Sequence, residues 1–331
     1  MALTVIAKSN PASEQAKMTT PVPSGIVHLA LACCAIVLLV FCVVAAPRGA
    51  LHVAIPLIET TLLVVPLLLI PAAYCHERKS WERRDSTLML PWTLLIAALI
   101  TQAAPTTVAH AFPLRDSLWR SMDEHLGIRI PDVMRFTAAH PHLQALLTFS
   151  YYWLLHPLLL SAIFLPALMG KRIAAQRFVL VNAIAFVVAL PCMLFLPAVG
   201  PWVSWHFEPN RLQIACELTI QTLRTGVLST GDSFGGIICF PSFHVFWALV
   251  GAHALQPFRW LRYPAMLVAG LITVSTMSTG WHYAVDVFSG ILLAVLSTII
   301  ANAVLRQVDP HLVRFGRPAY VELQPACRLA S

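Results

Sequence analysis

Residues Gly235–Leu255 read GGIICFPSFHVFWALVGAHAL. Most of this stretch is apolar enough to cross a bilayer as a helix. Its opening differs: Pro241, Ser242 and His244 place a ring without an N–H, a hydroxyl and an imidazole in the first turns. Hydrocarbon tolerates such groups poorly, and polar residues inside membrane segments are functional by default. Whether the chain is a membrane bundle with a reactive edge turns on this contrast.

Working outward, apolar runs recur along the chain. Eight have spanning character: Ile26–Ala46, Leu51–Tyr74, Leu88–Pro105, Leu146–Met169, Phe178–Ala198, Ile237–Leu255, Tyr263–Ser278 and Tyr283–Leu305. The third and seventh are short, so seven crossings are also compatible with the pattern. Of 331 residues, 58% are hydrophobic and only 11% charged, with a mean hydropathy of +0.74. Soluble domains carry about 25% charged residues, so no soluble domain of useful size is expected. The fold class is all-α: a polytopic transmembrane bundle of about eight helices. Residues 1–25 read as a disordered tail, 26–110 as N-terminal transmembrane helices, 111–306 as the functional core and 307–331 as a second tail. Ala45-Ala46 precedes Pro47, a poor residue after a cleavage point, so the first run is expected to be a retained helix rather than a signal peptide.

The net charge of +7 raises a nucleic-acid reading, which its distribution argues against. Lys8, Lys17, Arg78, Lys79, Arg83, Arg84, Lys171, Arg172, Arg177, Arg259, Arg262, Arg306, Arg314, Arg317 and Arg328 fall in one set of alternate compartments. The other set holds Arg48, Arg115, Arg120, Arg129, Arg135, Arg211 and Arg224. The positive-inside rule therefore predicts both termini in the cytoplasm, in an inner or plasma membrane, with the start of CFPSFHVFW on the outer face. No nucleic-acid partner is expected. The cysteines show no zinc-like spacing. Cys216 and Cys239 share the outer side, where a disulfide could persist, and two free thiols are the alternative.

A second stretch, STMSTGWHYAVDVFSG (Ser275–Gly290), repeats the puzzle. His282 and Asp286 are four apart and share a helix face. A carboxylate there can fix the imidazole tautomer and leave the other nitrogen free, which prepares a nucleophile or base. A structural His–Asp pair has the same spacing. His244 and His282 are 38 positions apart with a basic turn (Gln256–Arg262) near the middle. Two antiparallel helices of about 19 residues return to the same membrane surface, so both histidines are expected at one level on adjacent helices. Ser242 offers a hydroxyl, and Gly235 and Gly236 allow close backbone approach before a helix N-terminus that favours anions. Arg224 and Arg211 lie in the same outer loop (199–236), where they could clamp phosphate or pair with Glu208, Glu217 or Asp232. No Asp/Glu cluster suggests a metal, and no cofactor is expected.

FPSFH followed by GWHYAVDVFSG resembles the type 2 phosphatidic acid phosphatase superfamily, which carries P-S-x-H and S-R-x5-H-x3-D motifs on neighbouring helices. The likeness is to its bacterial lipid phosphatase and inositolphosphorylceramide-synthase-like branch, where G-x-H-Y-x-x-D replaces the longer motif. SLWRSMDEHLGI, YYWLLHP, LPAVGPW and TLRTG add to it in order, over Asp116–Val304. The resemblance implies a six-helix core that hydrolyses a membrane lipid phosphate without metal. His282 would attack phosphorus, Asp286 would orient it, His244 would protonate the leaving oxygen and Ser242 would hold the phosphate. Two departures stand out. The family's K-x6-R-P motif is absent, and its arginine six before His282 is Thr276. Arg224, with Arg211 behind it and Gly236 beside, is the candidate for the missing phosphate contact. Alternatives are a phosphotransferase that passes the group to an alcohol, and a non-enzymatic membrane protein.

Other polar residues complete the reading. Glu59 lies mid-span, with a function or a structural partner both open. His156 and His253 are expected to be structural, and Tyr151, Tyr152 and Trp153 to pack or to line an acyl path. Residues 115–145 are expected to form an interfacial helix or lid on the outer surface.

Overall fold

A computed structural model describes residues 25–45, 51–78, 80–225 and 237–308, with the side chains of 51–63 excepted. The tails, Gly235 and Gly236, and the Glu59 side chain lie outside the described residues. The described chain is helical: α1 (Gly25–Ala45), α2 (Leu51–Glu77), α3 (Trp81–Thr87), α4 (Met89–Ala109), α5 (Asp116–His125), α6 (Ile130–Ala138) and α7 (Pro141–Phe149). A π-helical turn (Ser150–Leu154) joins α7 to α8 (Leu155–Leu168). Then come α9 (Arg172–Phe195), α10 (Pro201–Trp205), α11 (Arg211–Thr225), α12 (Phe243–Ala254), α13 (Arg262–Ser278) and α14 (Ala284–Val308). Among the described residues, five continuous helical stretches are long and apolar enough to cross a membrane: Gly25–Ala45, Trp81–Ala109, Pro141–Leu168, Arg172–Phe195 and Ala284–Val308. The protein is an integral membrane helical bundle.

The most enclosed long helix is α9, which packs against α14, α4, α1, α12 and α8. Its sequence explains this: apolar residues run all round it, as a helix hidden from lipid and water alike requires. Around it, α12 lies against α13, α8 and α14. Lipid-facing positions carry the large exposed apolar side chains, among them Val44, Phe164, Leu292 and Ile299.

Against the eight expected spans, five stretches meet that length and apolarity among the described residues, and two of the expected runs change their bounds most. The third, short on sequence, extends through α3 to become Trp81–Ala109. The run Ile237–Leu255 is helical only over Phe243–Ala254. Ile237–Ser242 is a non-helical approach, and proline disfavours helix at the residue before it, here Phe240. Ser242 is the N-cap, its hydroxyl accepting from the Val245 amide at 3.5 Å.

Residues 115–145 form α5, α6 and the start of α7. They share one end of the bundle with α10, α11 and the starts of α12 and α14. At the opposite end Arg84 pairs with Asp85 at 2.9 Å, and Arg177 donates to Asn302 at 2.8 Å and lies 3.3 Å from His253. His253 is thereby tied into a structural network, as the sequence suggested.

Candidate active site

At the first of these ends, two turns meet. The approach Ile237–Ser242 supplies Cys239 and Ser242, and the turn between α13 and α14 supplies His282. Why the second turn holds its shape is local. Gly280 adopts φ +73° with no room for a Cβ, which would meet Met134 and Phe207 at 2.9 Å. Gln213, buried in α11, donates to the Gly280 carbonyl at 3.0 Å. The Thr276 carbonyl accepts from the amides of Trp281 and His282 at 3.1 and 3.2 Å. Thr276, where the family pattern carries arginine, is fully buried and serves this turn.

His282 is 3% exposed and Asp286 is fully buried. The His282 Nδ1 lies 3.1 Å from the Cys239 carbonyl and 3.4 Å from Asp286 Oδ2. A carbonyl only accepts, so Nδ1 carries the hydrogen and Nε2 keeps its lone pair. Burial lowers the imidazole to about 4, opposed by the Cys239 hydrogen bond, so His282 is neutral near pH 7. Asp286 Oδ2 also accepts from the Tyr283 amide and the Cys239 thiol, each at 2.9 Å. Cys239 is a free, buried thiol that donates to Asp286, which argues against a disulfide to the equally buried Cys216. Ligand atoms of Cys239, His282 and Asp286 lie within 4.8 Å of one another, and the hydrogen bonds just described account for that closeness.

His244, one position past the start of α12, brings its ring centroid 5.7 Å from that of His282. Two contacts set this approach. The Ser242 amide donates to the Asp286 carbonyl at 3.2 Å. Gly290 lets α14 touch α12, since a Cβ there would sit 2.5 Å from the Ser242 carbonyl oxygen. Behind His244, Tyr151 stacks at 4.7 Å and 17°, and Trp281 stacks on Tyr151 at 5.8 Å. Tyr151 lies in the π-helical turn, a feature that often re-aims side chains at functional sites. Tyr152 beside it accepts from the Trp281 indole at 3.1 Å, whereas Trp153 is 68% exposed.

Sequence reasoning missed the α5 carboxylates. Asp123 accepts from the amides of Ala284 and Val285 at 2.9 and 3.0 Å, satisfying orphan donors at the start of α14 from another helix. Burial pushes its carboxyl up to about 6, with the two amides pulling the other way. Asp116 accepts from Val199 and Gly200 and from the Tyr283 hydroxyl at 3.0 Å; burial raises it too, opposed by the same donors. A signal existed: Asp116, Trp119 and Asp123 fall at i, i+3 and i+7, the buried stripe of one helix.

The expected phosphate contacts are placed unevenly. Ser242 is fully buried at its cap. Arg224 donates from Nη2 to the Phe112 carbonyl at 2.7 Å, while its Nη1 is buried without a hydrogen bond among the described residues. Arg211 lines a separate cavity with Tyr152, Asn210 and Thr279. Neither guanidinium bonds to His244, His282 or Asp286 among the described residues.

Paired histidines with a carboxylate, at the edge of a helical membrane bundle, are matched by family. A family model described as the PAP2 superfamily matches residues 118–300. The chain belongs to the PAP2 superfamily. PAP2 members are phosphoesterases or phosphotransferases, which makes this chain an enzyme of phosphate esters. The match spans α5 to α14 and includes His244, His282 and Asp286. No curated protein and no solved structure matches the chain.

Proposed function

We propose that this PAP2 protein is a metal-independent lipid phosphatase working through a phosphohistidine. The observation that carries the reading is the held tautomer of His282: Nδ1–H on the Cys239 carbonyl beside Asp286, Nε2 bare. In the first step Nε2 forms a bond to phosphorus as the P–O bond to the lipid breaks, and His244 gives a proton to the departing oxygen. Water then attacks phosphorus, its proton passes to His244, the N–P bond breaks and phosphate leaves. Asp286 stabilises the cationic phosphoimidazole at each stage.

Phosphate contacts fall to the α12 N-terminus with Ser242, to Gly236, and to Arg224 through its free Nη1, with Arg211 more remote. The catalytic core is 111–306, with 115–145 an interfacial segment. The charge pattern supports a reaction centre on the outer face of an inner or plasma membrane, both termini cytoplasmic, with the lipid tail remaining in the bilayer.

The test is phosphate release by purified protein in detergent with EDTA. Substrates are phosphatidic acid, an isoprenyl diphosphate and phosphatidylglycerol phosphate, with His282→Ala and Arg224→Ala run alongside. EDTA-resistant release lost in His282→Ala is expected, with a 32P label trapped on the wild-type chain in an acid-labile, base-stable form. Full activity in Arg224→Ala removes that residue from the phosphate site. Release seen only when an alcohol acceptor is added replaces the phosphatase by a transferase.

A further inference from the structure

We propose that Cys239 is a positioning residue of the reaction centre, its carbonyl and thiol acting together to keep His282 a free base. This rests on the reading of His282 as the nucleophile.

Cys239 touches both catalytic partners at once. Its carbonyl takes the Nδ1 hydrogen at 3.1 Å, closer than the Asp286 carboxylate at 3.4 Å. Its thiol donates to Asp286 Oδ2 at 2.9 Å, the same oxygen that accepts from the Tyr283 amide and faces the imidazole. Asp286 Oδ1 is buried with no hydrogen-bond partner among the described residues. A donor bound to a carboxylate stabilises its charge and weakens it as a base. With the thiol in place, part of the Asp286 charge is satisfied before the imidazole calls on it. Without the thiol, Asp286 pulls harder on the Nδ1 hydrogen and favours the imidazolium, whose Nε2 has no lone pair to attack with.

The other titratable groups facing this pair leave the thiol alone in that role. They are His244 from α12, Tyr151 from the π-helical turn, Asp116 and Asp123 from α5, and Cys216 from α11. None of them is hydrogen-bonded to Asp286 among the described residues. A thiol donating to a carboxylate is itself protonated, so Cys239 acts as a donor here and not as a nucleophile.

The experiment is the pH dependence of kcat/KM from pH 4 to 9, with EDTA, for wild type, Cys239→Ala, Cys239→Val and Cys239→Ser. Loss of the donor in the alanine variant is expected to move the acid limb up by about one pH unit, roughly tenfold in rate below it. The plateau at higher pH should return toward wild type. Valine fills the volume of the thiol without its hydrogen and should shift the limb equally if alanine leaves a cavity that unfolds the site. Serine, a donor, should restore the limb. The same displacement is expected in the titration of the His282 imidazole resonance, assigned by its loss in His282→Ala, a readout that needs no substrate. An unmoved limb and resonance in the donor-less variants, even with a uniformly lower rate, would overturn the role of Cys239 alone. Full turnover by His282→Ala would overturn the histidine mechanism beneath it.

Discussion

Among the described residues Asp286 is buried without any Lys or Arg against it, and what reaches it are three weak or shared donors: an imidazole N–H at 3.4 Å, a thiol and one amide. On the proposed mechanism, such a carboxylate answers a charge that appears only during the reaction. Asp286→Asn keeps the shape and removes the answer. We expect kcat to fall by about 10²–10⁴-fold, as when an orienting carboxylate is neutralised in a hydrolase triad, with KM and the fold little changed. Single-turnover phosphate release measures this, and a loss confined to KM would assign Asp286 to binding instead. At this scale the sequence was informative for residues with rare chemistry in an apolar context. His244, His282, Asp286 and Ser242 stand out because hydrocarbon leaves few reasons for them. Arg224 and Arg211 did not resolve, because a charged residue on a polar loop has many possible partners. The chain settles on the Phe112 carbonyl for one of them, a backbone group with no signature in any side chain.

Between elements, the site depends on two contacts at the start and first turns of α14. Gly290 has no room for a methyl group against the Ser242 carbonyl. Gly290→Ala must push α12 and α14 apart, with an expected cost of about 1–3 kcal/mol and a loss of activity larger than the loss of folded protein. A melting curve beside a rate measurement separates the two. Asp123 supplies the other contact. Its carboxyl is raised from 3.8 to about 6 by burial, so the folded state holds the proton more tightly than the unfolded chain. That stabilising contribution is complete below about pH 4 and is lost as the pH rises through about 6. Thermal midpoints of wild type should therefore decline over this window relative to Asp123→Asn, whose own trend lacks the step. A rising midpoint there would contradict the assignment. The helices themselves were legible from hydropathy. The π-helical turn was not: no local residue choice in SYYWL marks it, and Tyr151 within it stacks on His244 and Trp281 from elements far along the chain. Nor was the role of α5, since an acid that caps another helix across 161 positions of sequence looks, along the chain, like any solvated charge.

Taken whole, the bundle separates chemistry from anchorage. The end opposite the histidines is tied by Arg177, which joins α9 to α14 through Asn302 and to α12 through His253. Arg177→Met should lower the thermal midpoint while leaving kcat per folded molecule at the wild-type value, and a changed kcat would show that the two ends communicate. Sidedness is the property read from charge, and reporter fusions after residues 171 and 308, compared with one in 226–236, should report opposite compartments. The α5 contacts carry a last consequence for anyone cutting this chain down. Both histidines lie after residue 240, yet the acids that seat the turn bearing His282 arrive from α5, on the far side of two intervening helical stretches long enough to cross a membrane. A fragment made of α12 to α14 would own His244, His282 and Asp286 and none of the frame that aims them. The smallest working catalyst is therefore expected to begin no later than Asp116, well ahead of either histidine.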